Sequence, residues 1–188
     1  MTFKIESPAP GVSIHQPLIT MVQAFIRFQK LLVGIINGGA IGIAATMVAL
    51  CDVLYASENA FFYTPFTALG LCAEGCSSVT FPKILGYSKA CEMLMLNHKM
   101  DAREALAFGF ISGIYKDERE VWDKLEQIKR LPIASIITNK NLMRRFSIDE
   151  LELANLNEVK GLEERMQSPE ALEAMVNFQM SRKNKSKL

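Results

Sequence analysis

The chain has 188 residues, 49% of them hydrophobic, and a formal net charge of +1. That size and composition predict a single domain with a substantial core. They argue against nucleic-acid binding, which needs a basic stripe, and against a membrane span, because the longest apolar run (31–51) is broken by Asn37 and four glycines. Met1 to Gly11 carries charges and two prolines where a secretory signal would be apolar. The four cysteines, Cys51, Cys72, Cys76 and Cys91, have no CxxC spacing and no histidine pair nearby. They are predicted to be reduced thiols, with no metal and no disulfide.

In chain order, residues 1–16 are irregular, with turns at Pro8, Pro10 and Gly11. Residues 17–30 suit an amphipathic helix with Pro17 in its first turn. Val33 to Ile36 reads as a strand ending at Asn37-Gly38-Gly39, followed by an apolar helix from about Gly42 to Leu50. A second strand, Val53 to Tyr55, precedes the apolar run Ala60 to Tyr63 and a loop to Glu74-Gly75-Cys76-Ser77-Ser78. Ser77 to Leu85 is predicted as a helix stopped by Gly86, and Ser88 as the cap of the next, Lys89 to Leu96. Asp101-Ala102-Arg103-Glu104 reads as a capping box for a short helix that Gly109 ends, and Phe110 to Tyr115 as a strand. Four helices then follow: Glu118 to Arg130, Pro132 to about Arg145, Ile148 to Gln167 capped by Ser147, and one opened by Ser168-Pro169. The fold class is therefore α/β, with strand and helix alternating over 17–130 and a helical region over 131–185.

Two features look chemical. Gly42 and Gly75 each lead a helix start, whose free N–H groups suit an oxyanion. One carboxylate, Glu74, stands among apolar residues before the second start and suits acid–base work. Simpler readings stay open: a tight strand-to-helix turn for Gly38, Gly39 and Gly42, and a first-turn carboxylate complementing the dipole for Glu74. Apolar neighbours should raise the pKa of Glu74 and the helix start should lower it, a contest these residues leave undecided. His15 and His98 read as ordinary surface or turn residues.

The segments Asn37-Gly38-Gly39-Ala40-Ile41-Gly42, Cys51-Asp52 with Tyr55-Ala56-Ser57, Phe62 to Phe66, and Ala73-Glu74-Gly75-Cys76-Ser77-Ser78 together resemble the crotonase (enoyl-CoA hydratase/isomerase) superfamily. The match is nearest to its peroxisomal Δ3,Δ2-enoyl-CoA isomerases and runs from about Pro17 to Leu188. The resemblance implies a crotonase-like spiral of ββα units, short at its N-terminal side, that holds an acyl-CoA thioester. It implies Ile43 as an oxyanion N–H donor, with Gly42, Gly39, Phe66 and Leu71 around the substrate. Glu74 would be the single base, carrying a proton from C2 to C4 of a 3-enoyl-CoA. Thr46 and Phe66 stand where hydratases of the family place two glutamates, which points away from hydration.

Coenzyme A would be part of the substrate, and no separate cofactor is implied. Arg182 and Lys183 are candidates for its phosphates, with a solvated basic tail as the alternative. The helices of 131–185 would pack across a trimer, making the chain a homo-oligomer. Ser186-Lys187-Leu188 forms the tripeptide that a peroxisomal import receptor reads, which predicts a peroxisomal location. Nothing in Met1 to Gln16 matches the family loop carrying the first oxyanion donor, so the expected chain lacks the first ββα turns. An acyl-CoA-binding form without catalysis, or another thioester enzyme of this fold, are the competing expectations.

Overall fold

The structure, a computed structural model, describes residues 15–185, without the side chains of residues 179 and 181–185. The side chains of Arg182 and Lys183, and the whole of Ser186-Lys187-Leu188, lie outside the described residues. Helix α1 (Gln16–Ile26) leads to β1 (Val33–Ile36), β2 (Gly39–Ile41) and α2 (Ile43–Met47), which tightens into a 3-10 turn at Val48–Leu50. Next come β3 (Val53–Ser57), β4 (Phe61–Tyr63), a 3-10 turn at Thr67–Leu69, α3 (Ser77–Leu85) and α4 (Tyr87–Leu94). After β5 (Lys99–Asp101), α5 (Ala102–Ala107) and β6 (Gly113–Tyr115), the chain is helical: α6 (Glu118–Ile128), α7 (Ile133–Arg144), α8 (Ile148–Met166) and α9 (Pro169–Lys185).

The strands form two small sheets. One is parallel, in the order β1-β3-β6, with Val33 opposite Val53 and Tyr55 opposite Gly113. The other, β2-β4-β5, pairs β2 and β4 in parallel and β4 and β5 antiparallel. Chain reversals between neighbours in the parallel sheet run through helices, as parallel pairing requires. The main core lies between sheets and helices, where Phe110 meets Phe62 edge-on at 4.9 Å and Phe81 at 5.3 Å between ring centroids. This geometry sets the positive edge of one ring against the negative face of another. A second core joins α1 to α8 through Val22, Ile26 and Leu151, and includes Met47, Leu50 and Cys76. Asn155 on α8 donates to the Ile19 carbonyl at 3.1 Å.

A charged hub ties the helical region to the sheet. Asp52 accepts the Leu32 N–H at 2.7 Å and the buried Lys140 ammonium at 2.6 Å, while Arg144 approaches its other oxygen at 3.1 Å. Lys140 also donates to the Lys30 carbonyl at 2.6 Å, so the lead into β1 and α7 share one carboxylate.

Several predicted boundaries shift for local reasons. Helix α1 ends at Ile26, and Arg27 turns to Glu152 at 2.6 Å. Ser88 is no cap: Gly86, at φ +80°, turns the chain directly into α4 at Tyr87. That helix stops at Leu94, because Asn97 takes φ +56° and the chain folds back to bond His98 N–H to the Glu92 carbonyl. Ser147 does not cap α8 with its side chain; its hydroxyl donates to the Arg144 carbonyl instead. The strand predicted from Phe110 begins only at Gly113, since the N–H groups of Phe110 and Ile111 close the end of α5 on the Ala105 carbonyl. Only half of the Asp101 capping box forms. Asp101 accepts the Glu104 N–H at 2.8 Å, but the Glu104 carboxylate pairs with Lys89 and His98. His98 is therefore part of an ion-pair cluster. Strands β2 and β5 were not predicted: three residues each, one holding glycine and one bounded by charges, they lack a period to read.

Candidate active site

The loop between β4 and α3 brings Gly75, next to Glu74, against α2, and the lack of a side chain there makes this approach possible. A Cβ on Gly75 would lie 2.4 Å from Thr46 Oγ1 and 3.1 Å from Ile43 Cδ1. No side chain fits there, and Gly75 also sits at φ +65°, where L-residues are disfavoured. Cys76 follows at φ +64°, so the turn after Glu74 takes two consecutive left-handed residues. Its geometry is held from both ends: Ser77 donates to the Glu74 carbonyl through its N–H at 3.3 Å and its hydroxyl at 2.7 Å.

At the facing helix start, Gly42 takes φ +61° and gives its own N–H to the Tyr63 carbonyl at 2.8 Å. The next N–H, that of Ile43 at the first helical position, has no acceptor among the described residues. Of the two residues, Ile43 is thus the one with a donor to offer. Gly39 has a different task. A Cβ there would meet the Phe61 ring at 2.4 Å, so this glycine lets β2 and β4 pack an aromatic ring over the backbone. Phe66 is buried at the lead into the Thr67–Leu69 turn and does not reach solvent. Thr46 is also buried, and its hydroxyl donates to the Ile43 carbonyl at 3.1 Å.

Beside the Glu74 turn lies a largely apolar cavity of about 320 Å³. Leu71, Cys72, Ala73 and Ser78 line it on the loop side, and Pro82, Leu94 and Met95 on the helix side. Gly70, at φ +68°, packs against the backbone of Ala171 at the start of α9, and its carbonyl accepts Arg165 Nε at 2.9 Å. The two last helices thereby buttress the loop.

Burial pushes the Glu74 carboxyl above its ordinary value, and the negative charge of Glu158 adds to the rise. Desolvation thus sets the direction, and the second cause is a residue the sequence reading passed over. Glu158 on α8 accepts the Cys76 N–H at 2.6 Å and the Ser78 N–H at 2.8 Å. The free donors of α3 are spent on that carboxylate, leaving Glu74 beside a negative charge. Burial raises Glu158 as well, against the lowering effect of its bonds from Ser78 and Cys76. The Cys76 thiol is pushed up to about 12 by burial and by Glu158, so it stays protonated, donating to the Leu151 carbonyl at 3.2 Å. The signal for Glu158 was present in α8, whose buried face reads Leu151, Ala154, Asn155, Glu158, Val159, Leu162. A carboxylate on an otherwise inward stripe requires a partner.

Comparison with known proteins agrees with this layout. Residues 6–186 match the family model described as enoyl-CoA hydratase/isomerase. Enoyl-CoA delta isomerase 2 of Homo sapiens is 41% identical over 167 residues, covering 87% of this chain and 42% of that protein. Enoyl-CoA delta isomerase 3, peroxisomal, of Mus musculus is 41% identical over 170 residues, covering 89% of this chain and 53% of that protein. The chain thus spans about half the length, or less, of these relatives. An enoyl-CoA hydratase/isomerase from Pseudoalteromonas atlantica T6c superposes with a TM-score of 0.83 at 31% identity, covering 94% of this chain and 70% of its own. A glycine-led helix start, a carboxylate-bearing loop packed on that helix and a match along nearly the whole sequence lead to one assignment: the chain belongs to the enoyl-CoA hydratase/isomerase family, the crotonase superfamily.

Proposed function

We propose that this site converts 3-enoyl-CoA to trans-2-enoyl-CoA, with Glu74 as the single acid–base group. The observation that carries the reading is the packing of Gly75 on Ile43 and Thr46, which brings the loop bearing Glu74, its one carboxylate, against the helix whose first N–H, that of Ile43, has no acceptor among the described residues. Glu74 takes a proton from C2, and the electrons of that C–H bond form the C1–C2 double bond of an enolate. The thioester oxygen receives the negative charge and is stabilised by the Ile43 N–H, aided by the positive end of α2. The enolate then collapses: a double bond forms between C2 and C3, and the electrons of the C3–C4 double bond take the proton back from Glu74 at C4. A carboxyl raised by burial suits both halves, because it binds the proton strongly enough to remove it and holds it for return. The cavity lined by Leu71, Pro82 and Leu94 suits the apolar acyl chain.

The test is 3-enoyl-CoA deuterated at C2, incubated with the purified chain. Conversion with part of the deuterium recovered at C4 is the expected result, since one carboxyl carries the proton between the two carbons. A folded chain that binds acyl-CoA without converting it would replace this reading with acyl-CoA binding alone.

We also infer delivery to the peroxisome, supported by the peroxisomal naming of the Mus musculus relative and by the Ser186-Lys187-Leu188 motif. A fluorescent protein fused ahead of the chain should become punctate with a peroxisomal marker, and deletion of 186–188 should disperse it. Diffuse signal from the full fusion would reject the inference.

A further inference from the structure

We propose that Glu158 is a positioning residue for this site: its carboxylate, reaching across from α8, clamps the Cys76 and Ser78 N–H groups and so fixes the turn that presents Glu74. The inference rests on the proposed role of Glu74 and extends it to a residue outside the loop. Both carboxylate oxygens are engaged, one at 2.6 Å and the other at 2.8 Å, so Glu158 bridges the two N–H groups. It is 7% exposed, and such a carboxylate is tolerated inside only when its oxygens are paired. What it stabilises is costly by itself, since left-handed backbone at Cys76, a non-glycine, needs outside support.

Three further ties bind the same stretch to α8 and show the turn as a docked unit. The Cys76 thiol bonds to the Leu151 carbonyl, the Cys72 thiol approaches the Glu158 carbonyl at 3.8 Å, and Arg165 holds the Gly70 carbonyl. The clamp also has an electrostatic consequence. Among the described residues, the ionisable groups facing Glu158 are Glu74 and the thiols of Cys72 and Cys76. Arg165, two turns along α8, is tied to Gly70 and Glu170. Among the described residues no cation is paired to Glu158, and its charge acts on Glu74 and favours the protonated carboxyl.

The experiment is NMR of the full chain, following the side-chain carboxyl carbons of Glu74 and Glu158 with pH, and amide exchange at Cys76 and Ser78. In Glu158→Gln the Glu74 midpoint should fall, because a negative neighbour has been removed. One of the two amides should exchange about 10- to 100-fold faster, as a glutamine presents one acceptor where the carboxylate presented two. An unchanged Glu74 midpoint in the folded variant overturns the proposal. Should Glu158→Gln not fold, the wild type decides: the Cys76 and Ser78 amide signals should shift with a carboxylate titration, and signals that ignore it overturn the clamp. None of these readouts needs substrate, so a chain that fails to convert 3-enoyl-CoA would dispose of the proposed activity while the role of Glu158 is judged separately. With turnover present, the acid limb of kcat/KM should move to lower pH in Glu158→Gln, a change that loss of packing alone would not produce.

Discussion

Glu74→Gln should lower kcat for 3-enoyl-CoA by about 10²- to 10⁴-fold, the usual contribution of a positioned acid–base group. The change is nearly isosteric, so the Gly75 contact with Thr46 and Ile43 and the cavity beside it should survive. Binding of a non-reacting acyl-CoA should accordingly be retained while turnover is lost. The wild-type pH profile carries the sign of the argument. Glu74 must be ionised to take the first proton, and its pKa lies above the ordinary carboxylate value of 4.5. Turnover should therefore fall as pH drops through a midpoint above 4.5, about tenfold per unit beyond it, and that limb should vanish from whatever activity Glu74→Gln retains. Steady-state kinetics over the acid range provides the check. Undiminished turnover in the variant would remove Glu74 from the chemistry.

The largest effect on stability is expected away from that site. Asp52→Ala should destabilise the fold by about 3–5 kcal/mol, the range for stranding one member of a buried ion pair. Lys140 has a side chain only 6% exposed and would keep only the Lys30 carbonyl and the face of Phe28 as partners; the Leu32 N–H would lose its acceptor too. Replacing both charges, as Asp52→Leu with Lys140→Met, should recover part of the loss, because an apolar pair carries no desolvation penalty. Denaturant unfolding of the single and double variants measures both. A loss below about 1 kcal/mol in Asp52→Ala would mean that the hub is well hydrated and of little weight.

These two sites differ in how far they can be read from the sequence. The Glu74 site is written in short segments: a glycine-led turn at 37–42 and the Glu74-Gly75-Cys76 step are local patterns, and local backbone rules interpret them. Helix α9 was equally legible, from Ser168 with Pro169, whereas α6 was placed without its complete capping box at Asp117 being read. Contacts between distant segments were not. The second cause of the Glu74 rise, after burial, is a group that lies eighty residues beyond Ser78, whose N–H it accepts. Asp52 was read as part of a motif, without the two cations of α7 that surround it. Thr46 and Phe66, read as departures from a family pattern, are both buried, a property set by packing that the pattern did not carry. The three-residue strands β2 and β5 were invisible for another reason: they exist because β4 offers edges on both sides, a tertiary fact with no signature in three residues.

The reach of Glu158 sets a schedule for the making of this protein. Its bonds to Cys76 and Ser78 span 82 and 80 positions of the chain. At roughly 5–20 residues per second of synthesis, about 4–16 s separate the emergence of the loop from that of the residue that closes it. During that interval the glycine-led turn has no lock, and two amide donors face solvent. A ribosome-bound chain ending before residue 158 would hold the sheets and the first core, yet not a finished loop. The support that Glu158 gives the loop is therefore a late event in the life of the nascent chain.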